Sequence, residues 1–329
     1  MNTAELGTDI LREVSRSFYL TLKLLPSEFR GPLSLGYLLA RLSDTIADAG
    51  SIDLARRQAL LEEFRSLLSA PAKHGDIQKF ASALPGELKG SGLERGEWDL
   101  VLRAADCFDW LHMMNRKLGG HIRKVVGIIT GGQVWDLQRF ADDAVVRLAE
   151  DDELETYAYQ VAGCVGEFWT EIGFTCSDRF SREDRATLLR WGANYGKGLQ
   201  LVNILRDVPE DLARGRCYLP GSGSVEAEVL CAELPRWQSR ARELLADGLR
   251  YTAALHGSRL RMSTGLPALL GGRTLDRLEN ASWADLEKRV KVSRGEVKRS
   301  LWGAYARSAP WLPGSWKGEY RRACQRLAS

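Results

Sequence analysis

Two stretches of the chain set oxygen-bearing side chains at helical intervals. In RLSDTIAD (residues 41–48) the carboxylates Asp44 and Asp48 stand four apart, and in QLVNILRDVPED (residues 200–211) Asn203, Asp207 and Asp211 carry the same interval further, with Gln200 one turn before. Residues four apart on a helix share a face with Cβ atoms about 6 Å apart, so each stretch can present a row of oxygen ligands. Mg2+ is a hard cation usually held by one or two carboxylates, with waters and substrate phosphate oxygens completing its shell. Two such faces across a cavity could hold several Mg2+ ions and a diphosphate. Arg41 and Arg206, beside the acids of their own stretches, could add charge-assisted bonds to phosphate.

Spacing alone is a weak signal. With 43 acids in 329 residues, random placement gives about six acid pairs at this interval, and most would be solvated. Position adds to it: Asp44 and Asp48 close the apolar stretch from Pro26 to Leu42, and acids joined to a buried stripe need a partner such as a metal. Pro209 is expected to kink or end its helix. That break is either a plain terminus or a turn that aims Asp211, Arg214 and Arg216 at the cavity mouth.

The elements that must position these residues are helical. Apolar residues recur three and four apart almost throughout, and alternating runs rich in Val, Ile and Thr are nearly absent, which predicts an all-α fold. Helices are expected over 4–15, 17–24, 29–48, 53–70, 95–116, 121–131, 133–142, 152–173, 182–208, 224–255, 258–273 and 295–308. Breaks are expected at Pro26, Gly31-Pro32, Gly50, Pro71, Pro85-Gly86, Gly119-Gly120, Gly131-Gly132, Gly221 to Gly223 and Pro310 to Pro313. None is long enough for an interdomain linker, so residues 1–329 read as one domain.

Composition narrows the class. The chain is 44% hydrophobic and 27% charged, an ordinary globular balance. A net charge of +3 without a long Lys/Arg run argues against nucleic acid as partner. The six cysteines form no CxxC pair and suit reduced thiols in a cytoplasm. The polar start MNTAELGTDILREVSR lacks the pattern of a cleavable signal, and no run of about 18 apolar residues occurs. The expected location is cytoplasmic.

Five segments together resemble the squalene/phytoene synthase family, in the family's order: SRSFYLTLKLLP (Ser15 to Pro26), YLLARLSDTIAD (Tyr37 to Asp48), YAYQVAGCVGE (Tyr157 to Glu167), QLVNILRDVPEDLARGRCYLP (Gln200 to Pro220) and RVKVSRGEV (Arg289 to Val297). The resemblance implies a single-domain all-α isoprenoid-synthase bundle around a central cavity. It further implies head-to-head joining of two prenyl diphosphates, such as farnesyl diphosphate, through a cyclopropyl diphosphate that ionises a second time. By resemblance, Asp44, Asp48, Asp207 and Asp211 with Asn203 hold Mg2+, and Arg41 and Arg206 bind diphosphate with Ser15, Arg16, Tyr37, Arg214 and Arg216. Gln200 belongs to the same substrate-binding stretch. Tyr157 matches the family's tyrosine near the reaction centre, where an aromatic face steadies a cation and a hydroxyl relays a proton. Phe18, Leu22, Val161, Ala162 and Val165 match positions lining the prenyl tunnel. Gly163 and Gly166 either let helices approach or leave tunnel volume.

The segments pull in two directions on the product. Asp44-Thr45 resembles the opening of the first motif in squalene synthases, whereas Gly215-Arg216 and Tyr218 to Pro220 look more like bacterial phytoene synthases. Squalene formation ends with hydride from NADPH; phytoene or dehydrosqualene formation ends with proton loss. The reading adopted is squalene synthesis from farnesyl diphosphate with Mg2+ and NADPH and no obligate protein partner. Phytoene or dehydrosqualene synthesis is the alternative; a silent scaffold subunit and a one-diphosphate terpene cyclase are further rivals. The tail from Trp311 to Arg326, without the membrane anchor of eukaryotic squalene synthases, either touches lipid through Trp311, Trp316, Lys317, Arg321 and Arg322 or packs as a final helix.

Overall fold

The computed structural model describes residues 5–15, 18–69, 72–141, 144–308 and 315–328. Their contacts divide the chain into two compact units, Met1–Ala141 with Glu171–Ser177 and Asp142–Thr170 with Asp178–Ser329.

In the first unit, a π-helical turn at Leu6–Ile10 leads into α1 (Leu11–Ser15), followed by α2 (Phe18–Leu24), α3 (Ser27–Ala47), α4 (Leu54–Ser69), α5 (His74–Glu87), α6 (Arg95–Leu102), α7 (Ala104–Met113) and α8 (Arg116–Arg139). Helices α3 and α4 both pack on α8. The expected break at Gly31-Pro32 does not occur. An interior proline costs about 3 kcal/mol, but Leu35, Leu38, Leu39 and Leu42 just beyond it are fully buried, and each contributes about 1.5–3 kcal/mol. The same balance carries α8 through both glycine pairs: Ile122, Val125, Val126 and Ile129 are buried, and Asn115 caps the first turn by accepting from the Leu118 amide at 2.9 Å. Helix α5 was not expected from the pattern, although Ile77, Phe80 and Leu84 form its buried stripe.

The second unit begins with β1 (Val146–Arg147) and α9 (Asp151–Ala158), then a π-helical turn at Tyr159–Gly163 and α10 (Cys164–Cys176), whose end from Glu171 belongs to the first unit. Next come α11 (Arg185–Ala213), β2 (Arg216–Cys217), α12 (Ala227–Ala254), α13 (Ser258–Leu278), α14 (Trp283–Glu287), α15 (Arg294–Ser308) and α16 (Ser315–Ala328). Helix α11 lies along α12 and against the π turn. Pro209 neither ends nor interrupts α11, which runs to Ala213, because the buried Ile204, Leu205 and Val208 hold the turns before it in place.

Glycines set the closest approach in this unit. A Cβ on Gly166 would stand 1.8 Å from the Gly192 carbonyl oxygen, and one on Gly196 would stand 2.1 Å from that of Ala162. Of the two expected uses of Gly166, close approach is therefore the observed one. Trp316 takes the packed alternative too: it is 2% exposed, lies over Gly265 and donates its indole N–H to Ser308 Oγ at 3.2 Å. Trp311 lies outside the described residues. Among the described residues no helix is long and apolar enough to cross a membrane, and the six cysteines are free thiols.

Candidate active site

The first acidic stretch forms the end of α3. Asp44 Oδ1 accepts a short hydrogen bond from the Gln133 side-chain amide on α8, and Arg41 stands 4.0 Å from Oδ2. Arg41 itself is held by a short ion pair to Glu97 on α6. The Asp44 side chain is 44% exposed yet set deeply among protein atoms. Desolvation pushes its carboxyl up to about 7; Arg41 and the Gln133 bond pull it down, whereas Asp48 and Glu97 push it further up. Asp48, exposed at the helix end, is thus the electrostatic neighbour that the spacing predicted. Gln133 Oε1 is buried without a hydrogen-bond partner, so an oxygen lone pair stands unused beside the carboxylate. That orphan, with two neighbouring acids that repel, fits a cation better than it fits a closed core.

The second stretch lies on the last turns of α11. Arg206 grips Asp207 through two bonds, Nε to Oδ1 at 2.9 Å and a guanidinium nitrogen to Oδ2. Arg289 adds a bond from Nε to Oδ1 at 3.3 Å and reaches Glu210 at 3.4 Å. Glu210 also accepts from Arg214 at 2.9 Å. Arg289 has φ +62°, the one non-glycine residue with positive φ among those described, a conformation that costs about 1–3 kcal/mol. Asn203 is exposed, 3.5 Å from Gln200. Among the described residues no three His, Cys, Asp or Glu side chains gather into a metal cage; a Mg2+ here would draw part of its shell from diphosphate and water.

Beyond α11 the chain turns at Gly215, φ +79°, which only glycine adopts without strain, and pairs β2 with β1 in parallel. Arg147 of β1 donates to the carbonyls of Leu219 and Pro220 at 2.9 Å each and of Ser224 at 3.0 Å. This clamp fixes Tyr218. Its ring stacks on Tyr157 with centroids 4.9 Å apart and planes 13° apart, and the hydroxyls lie 3.4 Å apart. Two electron-rich faces and two coupled hydroxyls make a surface suited to a cation and a mobile proton.

Of the other expected site residues, Tyr37 donates to the Val14 carbonyl at 3.1 Å and Ser15 Oγ turns back to the Leu11 carbonyl. Leu22 is buried, Val161, Ala162, Val165 and Gln200 are half-buried, Arg214 is exposed and Arg216 half-buried on β2. Arg16 and the Phe18 side chain lie outside the described residues. Sequence reading missed Gln133, Glu97 and Tyr218 as site residues. It also missed the π-helical turn at Tyr159–Gly163, a feature frequent at functional sites. Only Tyr218 had a signal, inside the quoted YLP segment.

The family model described as Squalene/phytoene synthase matches residues 11–296. The chain belongs to the squalene/phytoene synthase family. This is a family of prenyltransferase-type enzymes that generally use Mg2+ with diphosphate substrates. Among its similar members, the phytoene synthase of Thermus thermophilus is 28% identical over 321 residues, 93% of this chain and 94% of that protein. The bifunctional lycopene cyclase/phytoene synthase of Blakeslea trispora is 29% identical over 217 residues, 64% of this chain; the match spans 32% of that longer protein. In fold the chain is similar to TcSQS solved with the ligand BPH1237, with a TM-score of 0.76, 21% identity, and coverage of 98% of this chain and 90% of that one. Family membership and fold bear out the all-α reading.

Proposed function

We propose that this protein, acting as one catalytic domain over residues 1–329, joins two farnesyl diphosphates head to head into presqualene diphosphate and reduces that product to squalene with NADPH. The observation that carries the condensation is Asp44: a carboxylate pressed toward neutrality by its surroundings, beside the orphan Gln133 oxygen, on a family segment whose members act on diphosphates. Asp44 and Asp48 on one stretch, and Asn203, Asp207 and Asp211 on the other, are the residues that would hold Mg2+, which would supply charge neutralisation for the departing diphosphate.

The chain's own groups do the rest. Arg41 and Arg206 present guanidinium forks to phosphate oxygens, Arg214 and Arg216 add positive charge at the end of α11, and Gln200 positions Asn203. Tyr157, stacked on Tyr218, offers its ring face to the allylic cation and its hydroxyl to a proton in transit. Leu22, Val161, Ala162 and Val165 supply apolar surface that keeps water from the cation.

A second reading has an observation in its favour. The Thermus thermophilus relative, matched over 94% of its own length, is a phytoene synthase, and such an enzyme would finish by proton loss without NADPH. Incubation with Mg2+ and farnesyl or geranylgeranyl diphosphate, with and without NADPH, distinguishes the two by product. A hydrocarbon saturated at its central bond only when NADPH is present supports squalene synthesis; a conjugated triene in both conditions supports the alternative.

A further inference from the structure

The second unit contains a cavity of about 340 Å³ bounded by α12, α13, α15 and α16, and none of residues 200–211 lines it. Leu245, Leu249, Ala268 and Leu275 give it an apolar wall, and none is more than 7% exposed. Most of its charges are matched. Arg242 pairs with Asp276 at 2.9 Å and Glu279 at 2.7 Å, and Arg307 pairs with Glu319 at 2.8 Å. Arg273 is the exception: among the described residues it has no acidic partner, and its one hydrogen bond goes to the Glu296 backbone carbonyl at 3.2 Å.

One helical turn beyond Glu296, Ser300 also lines the cavity. Its hydroxyl is fully buried and has no hydrogen-bond partner. A buried hydroxyl left unmade is costly, and an incoming oxygen would relieve it. Gly272, next to Arg273 on α13, faces the same space, because a Cβ there would meet no atom within 4 Å. Glycine weakens a helix interior, and here it leaves the volume open.

We propose that this cavity binds an amphiphile with one small oxyanion head and a short apolar body. The head sits between the Arg273 guanidinium and the Ser300 hydroxyl, and the body lies along the leucine wall. A neutral hydrophobe would strip water from Arg273 and Ser300 without replacing its hydrogen bonds. A diphosphate would bring more negative charge than the single unmatched guanidinium balances. The volume is that of a small-molecule site.

Calorimetric titration of the full chain in magnesium-free buffer with octanoate, octyl phosphate, octanol and inorganic phosphate tests this. Octanoate or octyl phosphate is expected to bind, and whichever binds identifies the head as carboxylate or phosphate. Ser300→Ala should weaken that binding about threefold to tenfold and Arg273→Met at least about tenfold. Gly272→Leu, whose Cβ would meet no atom within 4 Å and whose longer side chain would take up the cavity volume, should abolish it with the melting temperature unchanged or raised. Should Arg273→Met fail to fold, the other two variants carry the test. The proposal is overturned if neither amphiphile binds at millimolar concentration, if octanol or inorganic phosphate binds as tightly, or if Gly272→Leu leaves binding intact.

Discussion

Asp44 is held between opposing influences, and the direction of its titration fixes how stability depends on pH. Its carboxyl is raised from 3.8 to about 7 in the folded chain, so folding favours the protonated form. Its contribution is therefore fullest below about pH 4 and is lost as pH climbs through 7. If Asp48 and Asp207 are metal ligands, Asp48→Asn and Asp207→Asn should each cut diphosphate release by at least ~10³-fold with an unchanged helical circular-dichroism signal; normal turnover removes the assignment. Arg289 gives a sharper test, because its guanidinium occupies the carboxylate that the metal would use. Arg289→Ala is expected to tighten Mg2+ binding to the substrate-free protein by ~3–10-fold, read by calorimetry, since a competing cation worth ~1 kcal/mol is gone; weaker binding would mean that Arg289 organises the site instead. The aspartates were legible because their interval is local to one helix. Gln133 was not, because it lies 89 residues from Asp44 in the chain and only tertiary packing brings them together.

At the level of elements, the contacts of Gly166 with Gly192 and of Gly196 with Ala162 make these helices intolerant of a single methyl group. Gly196→Ala should destabilise by about 1–3 kcal/mol, seen as a lower denaturant midpoint, whereas Gly120→Ala, with open space around it, should leave stability unchanged or slightly higher. Equal effects would remove the close-approach argument. Helix identity was legible from apolar periodicity, but interruptions were not. Local chemistry reads Pro32 and Pro209 as breaks, yet both sit inside continuous helices, because burial on both sides of Pro32 and in the turns before Pro209 outweighs one missing N–H. The parallel pairing of β1 and β2 was invisible for the same reason that Gln133 was: two-residue strands about 70 positions apart carry no periodic signal.

For the molecule as a whole, the all-α class and the family followed from pattern and segment order, while the division into two compact units did not. It reflects which cores the helices share rather than any linker composition, and no glycine- or proline-rich stretch announces it. A carboxyl near 7 is about half protonated in neutral solution, and a metal ligand must shed its proton. If Asp44 is a magnesium ligand, saturating the protein with magnesium at pH 7 should acidify a weakly buffered sample by about half an equivalent per chain, a release that shrinks toward zero by pH 9 and vanishes in Asp44→Asn. A pH-stat would record it with no substrate present.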